Sequence, residues 1–402
     1  MLSLAYIVSQ YPTVNHTFVL REVRALRAQG FNVLTISVRG PDRDPSRLTP
    51  EEADEAKNTL YLLPAGVFPI LAAHLRTFLT RPVAYMAGLT MALRLAGLHL
   101  SRIPAHLIAF AEAVVIGQWA RQRGFSHLHT HFVTNATMLA ARIFPLQYSM
   151  TIHGPDEFND VVSFHLAEKI ARSRFACAIS NFGKSQMMRA TPAAHWDKIE
   201  YCYLGVDPRA FEPRAFLASP QPFRVVSVSR LAPVKGHRVL IDAIHLLAAE
   251  GRNVELVIAG DGPERKALEQ HAASGRAASQ IRFPGALTQP DVLALYASAD
   301  CFALASFAEG IPVVLMEAMS MEVPCVATWV NGIPELIEDE HNGLLVPPSD
   351  AAGVARQIAR LIDDRQLRER LGKAGRKRVL ESFDLQHNAA LLAGIFQRRL
   401  AR

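Results

Sequence analysis

The chain has 402 residues, half of them hydrophobic and a fifth charged, which is length for two or three domains and a composition without low-complexity tracts. The net charge of +6 brings no basic stripe with interleaved aromatics and no nucleic-acid-binding signature, so no nucleic-acid partner is expected. The four cysteines, Cys177, Cys202, Cys301 and Cys325, lie far apart inside apolar runs and read as buried thiols without metal or redox spacing.

The chain opens on a strand, helix, strand pattern: "LAYIVS" from residue 4, "TFVLREVRALRAQG" from 17 and "FNVLTISV" from 31. Its first apolar run ends at Ser9 and no basic leader precedes it, so no signal peptide is expected and the location reads as cytoplasmic. Residues 66 to 123 read as one long helical segment. Its most hydrophobic part, 83 to 119, is interrupted by Arg94, His99, Arg102 and His106, which disfavours a membrane-spanning helix. An apolar segment bearing arginines suits peripheral contact with an anionic membrane, at the inner face of the cytoplasmic membrane; a helix pair packed on its own domain is the alternative.

The alternation resumes with "SHLHTHF" at 126 to 132, "YSMTIHG" at 148 to 154, "RFACAIS" at 174 to 180 and "KIEYCYL" at 198 to 204. Residues 208 to 222 hold four prolines and no strand pattern, which marks a linker. A second series follows: "FRVVSVSR", "VELVIAG", "IRFPG", "CFALAS", "VPCVAT" and "GLLV", with helical stretches between. Strands alternating with helices imply covered parallel sheets, so two α/β doubly wound domains are expected, 1–207 and 223–380. The last stretch, 381–402, is expected to be a helix packing back on the N-terminal domain. A ligand belongs in the cleft between the domains, beyond the carboxyl ends of the strands.

Three motifs carry chemistry. In "SFAEGIPVVLMEAMSMEVPC", residues 306 to 325, Pro312 suits the first turn of a helix, so Gly310 and Ile311 would offer N–H groups to an anion, phosphate being the natural one. Glu309 is either a surface acid complementing the helix dipole or a ligand of the bound molecule. Glu317 is the sole charge between Ile311 and Met321, and an ionised carboxylate there needs a partner or a polar ligand; a pair of sugar hydroxyls would serve. In "VSVSRLAPVKGHRVL", from residue 226, Arg230 and Lys235 follow a strand end and suit a diphosphate, or are simply surface charges. In "HTHF", His129 and His131 share one strand face, but no third ligand is evident in the sequence, so no metal is expected. "AGDGPERKAL", residues 259 to 268, reads as a structural turn.

Taken in order, these pieces resemble glycosyltransferase family 4, whose members are retaining, nucleotide-sugar-dependent enzymes of GT-B architecture. The resemblance rests on "SRLAPVKGH" (229–237), "VIAGDGPER" (257–265), "SFAEGIPVVLMEAMSMEVPCVAT" (306–328) and "NGLLVPPSD" (342–350), with "HTHF", "TIHG" and "LGVD" (204–207) in the first half. It implies two Rossmann-like domains facing a central cleft, a donor that is a nucleotide-diphosphate sugar of UDP or GDP, and no cofactor or metal. It assigns the diphosphate to Arg230 and Lys235, the ribose to Glu317, the donor sugar to Glu309 beside Gly310 and Ile311, and the base to Pro284, Gly285 and Ala286. His153 of "TIHG" would sit at the reacting sugar.

The stretch "SQYPTVNHTFVLREV", residues 9 to 23, resembles a subgroup of exopolysaccharide and capsule assembly, in which Ser-Glu-Thr-Phe is usual where this chain has Asn15, His16, Thr17 and Phe18. Asn15, His16, Thr17, His129 and His131 are thereby acceptor-side candidates. The implied reaction moves a sugar to a hydroxyl of a saccharide or lipid-linked saccharide, in exopolysaccharide, capsule or lipopolysaccharide biosynthesis. Two alternatives keep the architecture: a sugar-nucleotide epimerase, which needs a dedicated acid and base, and a non-catalytic scaffold of a polysaccharide-assembly complex.

Overall fold

The computed structural model describes residues 2–13, 17–217 and 219–401. The chain forms two units, Met1–Cys202 with Ala389–Arg402, and Tyr203–Asn388.

The first unit is built on a seven-stranded parallel sheet. Its strands are β1 (Ser3–Gln10), β2 (Asn32–Arg39), β3 (Thr59–Tyr61), β4 (His127–His131), β5 (Gln147–Ile152), β6 (Phe175–Ala178) and β7 (Ile199–Tyr201), in the order β3-β2-β1-β4-β5-β6-β7. The order runs outward from β1 in both directions, which is the doubly wound pattern expected from alternating strands and helices. Both faces are covered, and β1 is apolar along its middle, with Leu4, Ala5, Tyr6, Ile7 and Val8 fully buried, whereas β4 beside it buries His127, His129, Thr130 and His131.

The stretch expected to be one long helical segment is three helices, Val67–Thr80, Pro82–Ala96 and Ile103–Gln122. Pro82 lacks an N–H and turns Arg81 out of helical geometry (φ −144°, ψ 52°), and Gly97 at φ +61° ends the second helix. The third, extended to Leu100–Gln122, is long and apolar enough to cross a bilayer, but Phe110, Ala113 to Ile116 and Ala120 are buried in the core under the sheet.

The second unit carries a six-stranded parallel sheet of β8 (Phe223–Val228), β9 (Val254–Ala259), β10 (Ile281–Gly285), β11 (Cys301–Leu304), β12 (Cys325–Thr328) and β13 (Leu344–Val346), in the order β10-β9-β8-β11-β12-β13. β8 and β11 are neighbours although the chain runs β8-β9-β10 to one side before returning. The sheet's topological switch therefore lies between them, where doubly wound folds hold their ligands.

Of the stretch expected to be a linker, residues 211–217 run along the helix Arg365–Ser382 of the second unit. Arg368, almost wholly buried, donates to the Leu217 carbonyl at 3.0 Å, Arg376 donates to the Phe211 carbonyl at 2.8 Å, and the Phe216 ring lies over Gly372. The final helix, Leu385–Leu400, seats Leu392, Ala393, Ile395 and Phe396 against Leu4, Tyr6, Val8 and Phe175 of the first unit's core.

Candidate active site

The switch between β8 and β11 gathers the charged residues that the sequence singles out. β11 ends at Leu304, and residues 305–312 lead to the helix Val313–Ser320. Glu309 sits in this turn, 7% exposed. Its Oε1 accepts from Lys235 Nζ at 2.6 Å and from Ser306 Oγ at 2.7 Å. Thr328 Oγ1 at the tip of β12 donates to the Ser306 carbonyl at 2.5 Å, and the Phe307 amide donates to the Val234 carbonyl at 2.8 Å. The two loops are thus stitched side to side, and the ion pair is held in position rather than formed by wandering side chains.

Two glycines permit this closeness. Gly236, at φ +61°, lies so near the end of β11 that a Cβ would sit 2.0 Å from the Ala305 carbonyl oxygen. A Cβ on Gly332, in the loop after β12, would sit 2.0 Å from the Gly310 carbonyl oxygen. Any larger residue would push Lys235 off Glu309 in the first case and deform the Gly310 turn in the second.

Pro312 is the N-cap of the helix Val313–Ser320, one position earlier than a first-turn proline, so Gly310 and Ile311 precede the helix proper. Glu317 lies within this helix, 5% exposed, and accepts a hydrogen bond from the Tyr296 hydroxyl at 3.2 Å. A different helix, Gln289–Ser298, therefore supplies a protein partner for this carboxylate, and burial alone does not demand a ligand hydroxyl. Arg230 follows β8 with an exposed side chain, and among the described residues no carboxylate lies within ion-pair distance of it. Ser229 Oγ and His237 Nε2 are 2.9 Å apart; burial first, and then the charge of Lys235, pull the His237 pKa down to about 4, so this ring is neutral at pH 7. Gly285 ends β10 at φ +89° with its carbonyl accepting from the Gly260 amide at 2.8 Å, and Pro284 and Ala286 beside it are exposed.

The other candidates belong to the first unit. His153 follows β5, half buried, with its ring between those of Phe18 (4.8 Å between centroids) and Phe132 (4.7 Å). His153 Nε2 and His131 Nδ1 are 2.8 Å apart, and His131 Nε2 lies 3.2 Å from Glu22 Oε1, which also accepts from the Tyr6 hydroxyl at 2.8 Å. One chain of hydrogen bonds thus links "TFVLREV", "HTHF" and "TIHG". His129 is fully buried, with Nδ1 on Ser149 Oγ (2.8 Å) and Nε2 on Thr151 Oγ1 (3.1 Å); burial holds its pKa well below the ordinary histidine value, so it serves as a neutral element of the sheet. Thr17 begins the helix Thr17–Ala28; Asn15 and His16 lie outside the described residues.

Glu22 is also the third group that the sequence does not reveal: with His129 and His131 it offers ligand atoms all within 4.8 Å of one another. Each of these histidine nitrogens already has a hydrogen-bond partner, so binding a metal here would require that network to break. Sequence reasoning also missed Ser306, Tyr296 and Gly332, and the closeness that Gly236 permits. A glycine directly after Lys235 was the one local signal; the rest are brought in by other strands and helices.

Residues 209–378 match the family described as Glycosyl transferases group 1. The chain is 28% identical to WcaL of Salmonella typhimurium, a glycosyltransferase assigned to colanic acid biosynthesis, over 98% of this chain and 100% of that protein. It is 28% identical to the amylovoran biosynthesis glycosyltransferase AmsK of Erwinia amylovora over 90% of each. Anabaena Alr3699/HepE, solved in complex with UDP and glucose, superposes with a TM-score of 0.74 at 17% identity, covering 99% of this chain and 100% of that one. The match to the group 1 glycosyl transferases thus lies within the second unit, whereas WcaL and AmsK resemble the chain along nearly its whole length.

Proposed function

We propose that the protein moves a sugar from a nucleotide-diphosphate donor to a hydroxyl of a saccharide or lipid-linked saccharide, in the cytoplasm, as a step of exopolysaccharide biosynthesis. We further propose retention at the donor carbon and no need for a metal or other cofactor. The carrying observation is the Lys235–Glu309 pair beside the exposed Arg230 at the switch between β8 and β11.

A diphosphate has the charge and the oxygens to engage both cations. As the bond from the sugar's anomeric carbon to the phosphate oxygen breaks, Arg230 and Lys235 offset the charge that builds on the leaving group, the service a divalent metal gives elsewhere. The acceptor hydroxyl attacks from the face the phosphate leaves, and its proton passes to the departing phosphate oxygen. Glu309 then hydrogen-bonds the donor sugar, with the Gly310 and Ile311 amides beside it, Glu317 takes the ribose hydroxyls, and the base lies near Gly285. Glu309 meets Lys235 and Ser306 through Oε1 alone, which leaves Oε2 for the donor sugar. Family resemblance assigns His153 to the reacting sugar and Thr17 and His131 to the acceptor. The names of WcaL and AmsK support exopolysaccharide as the product, and the HepE complex makes UDP the first nucleotide to try.

The test is calorimetric titration with UDP, GDP and ADP in EDTA, on the wild type and on Arg230→Ala and Glu317→Gln. Binding of one nucleotide, weakened in both variants, supports the donor site; failure of all three nucleotides to bind refutes it. The anomeric configuration of the product, read by NMR, decides retention.

A further inference from the structure

The helix Val67–Thr80 is amphipathic in the reverse sense. Its buried positions are Ala73 and Thr77, whereas Phe68, Leu71, Leu75 and Leu79, spaced to share one face, are 86, 59, 62 and 69% exposed. The next helix, Pro82–Ala96, continues this with Val83, and the turn after it with Leu98, 99% exposed. Of the 22 large hydrophobic residues that are exposed among the described residues, 14 fall within residues 63 to 108. Singly scattered apolar residues need no explanation, but a contiguous apolar face does.

The face is also rigid. Both helices pack against Ile103–Gln122, His74 Nδ1 meets the Tyr85 hydroxyl at 3.0 Å, and His74 Nε2 lies 3.3 Å from the Ala111 carbonyl. Its charge has one sign: no Asp or Glu occurs between Glu55 and Glu112, while Arg76, Arg81, Arg94 and Arg102 do. Arg94 is paired with Glu168 and Arg81 lies over the Phe144 ring, but among the described residues Arg76, Arg81 and Arg102 form no ion pair.

We infer that this face, made by the helices Val67–Thr80 and Pro82–Ala96 and the turn at 97–102, docks on an anionic lipid bilayer. The helices, at 14 and 15 residues, are too short to cross one and lie in its plane, with the apolar side chains entering the boundary between headgroups and acyl chains and the arginines on lipid phosphates. Charge complementarity selects this occupant. A second copy of the chain, meeting the face by two-fold symmetry, would set Arg76, Arg81 and Arg102 against their own kind, with Glu168 already shared by Arg94 and Arg172. The inference uses no part of the donor site and stands or falls apart from the sugar-transfer reading; a lipid-linked acceptor would give the docking its purpose.

Flotation of the full-length protein with vesicles of phosphatidylcholine, alone or mixed with phosphatidylglycerol, tests it. Partitioning onto the anionic vesicles is expected, and it should weaken as salt rises. Each exposed arginine near such a surface contributes about a fivefold gain, so Arg76→Ala with Arg102→Ala should lower partitioning about 25-fold. The triple change Phe68→Ser, Leu71→Ser and Leu75→Ser should abolish flotation while leaving thermal unfolding unchanged, because these side chains are exposed. No flotation of the wild type at low salt overturns the inference, as does undiminished flotation of the serine variant. A concentration-dependent dimer in sedimentation, dissolved by the serine changes in a protein that ignores vesicles, assigns the face to a second copy instead.

Discussion

Replacing Lys235 by methionine removes the cation and keeps most of the apolar stem, which isolates the charge. Its partner Glu309 would remain in a site where its side chain is 9% exposed, with Ser306 Oγ at 2.7 Å still donating. Breaking a fully buried ion pair from one side costs about 3–5 kcal/mol. Here the Lys235 side chain is 23% exposed, so water can reach the orphaned carboxylate, and with the serine hydrogen bond kept the expected loss is about 2 kcal/mol. Glu309→Gln should cost about 1 kcal/mol, since the lysine can turn to water while the amide still accepts from Ser306. Adding it to Lys235→Met should recover much of the loss, because no unpaired charge then remains. Urea denaturation of the two single variants and the double variant closes the cycle. In turnover, the loss of one charge on the leaving diphosphate should slow the rate about 100- to 1,000-fold at saturating donor. Strictly additive stabilities would show that the pair does not form, and a rate within a few-fold of wild type would remove Lys235 from the diphosphate.

Three further substitutions probe the supporting structure. Gly236→Ala should destabilise the second unit by about 2 kcal/mol or more, because the left-handed backbone and a Cβ 2.0 Å from the Ala305 oxygen both resist it; an unchanged melting temperature would show that the loop yields freely. Tyr296→Phe withdraws a hydroxyl donor from the buried Glu317 carboxylate and should cost about 1–2 kcal/mol and weaken nucleotide binding, with calorimetry showing no change if Glu317 does not serve the donor. Lys169 is fully buried with its ammonium 3.4 Å from the Phe164 ring centre, and burial pulls its pKa down to about 7 against a smaller upward pull from Glu157. Between pH 7 and about 10 the unfolded chain keeps a proton that the folded one has released, so stability should rise with pH by about 1.4 kcal/mol per unit across that window and gain nothing below it. Urea denaturation of the first unit at pH 7, 8 and 9 should show this slope in the wild type and not in Lys169→Met; equal slopes would sink the assignment.

The residues that bear charge were legible in the sequence because each sits where its neighbours cannot explain it. Glu309 and Glu317 stand in an apolar run, and Arg230 and Lys235 follow a strand end, so local pattern alone singled out these four charges. The strand pattern was equally plain, since buried parallel strands read as unbroken apolar runs and their alternation with helices admits few other folds. What local pattern misjudged was the reason for some of these placements. Glu317 reads as needing a partner or a polar ligand, and the partner that the fold supplies, Tyr296, stands 21 residues earlier, where local pattern cannot place it. Residues 66 to 123 looked like one segment because apolar periodicity outlasts the backbone breaks at Pro82 and Gly97.

Partnership across the fold was decided only in three dimensions. The sequence placed Glu22, His131 and His153 in three separate motifs, and the sheet brought them into one hydrogen-bond chain by setting β4 beside β5 and the helix Thr17–Ala28 over them. The same holds for the outward apolar face of Val67–Thr80: the period of 3.6 fixed that Phe68, Leu71, Leu75 and Leu79 lie together, but only packing determined that Ala73 and Thr77 turn inward instead. Sequence sets which residues share a face because that follows from backbone geometry, whereas which face is buried depends on the neighbour that claims it.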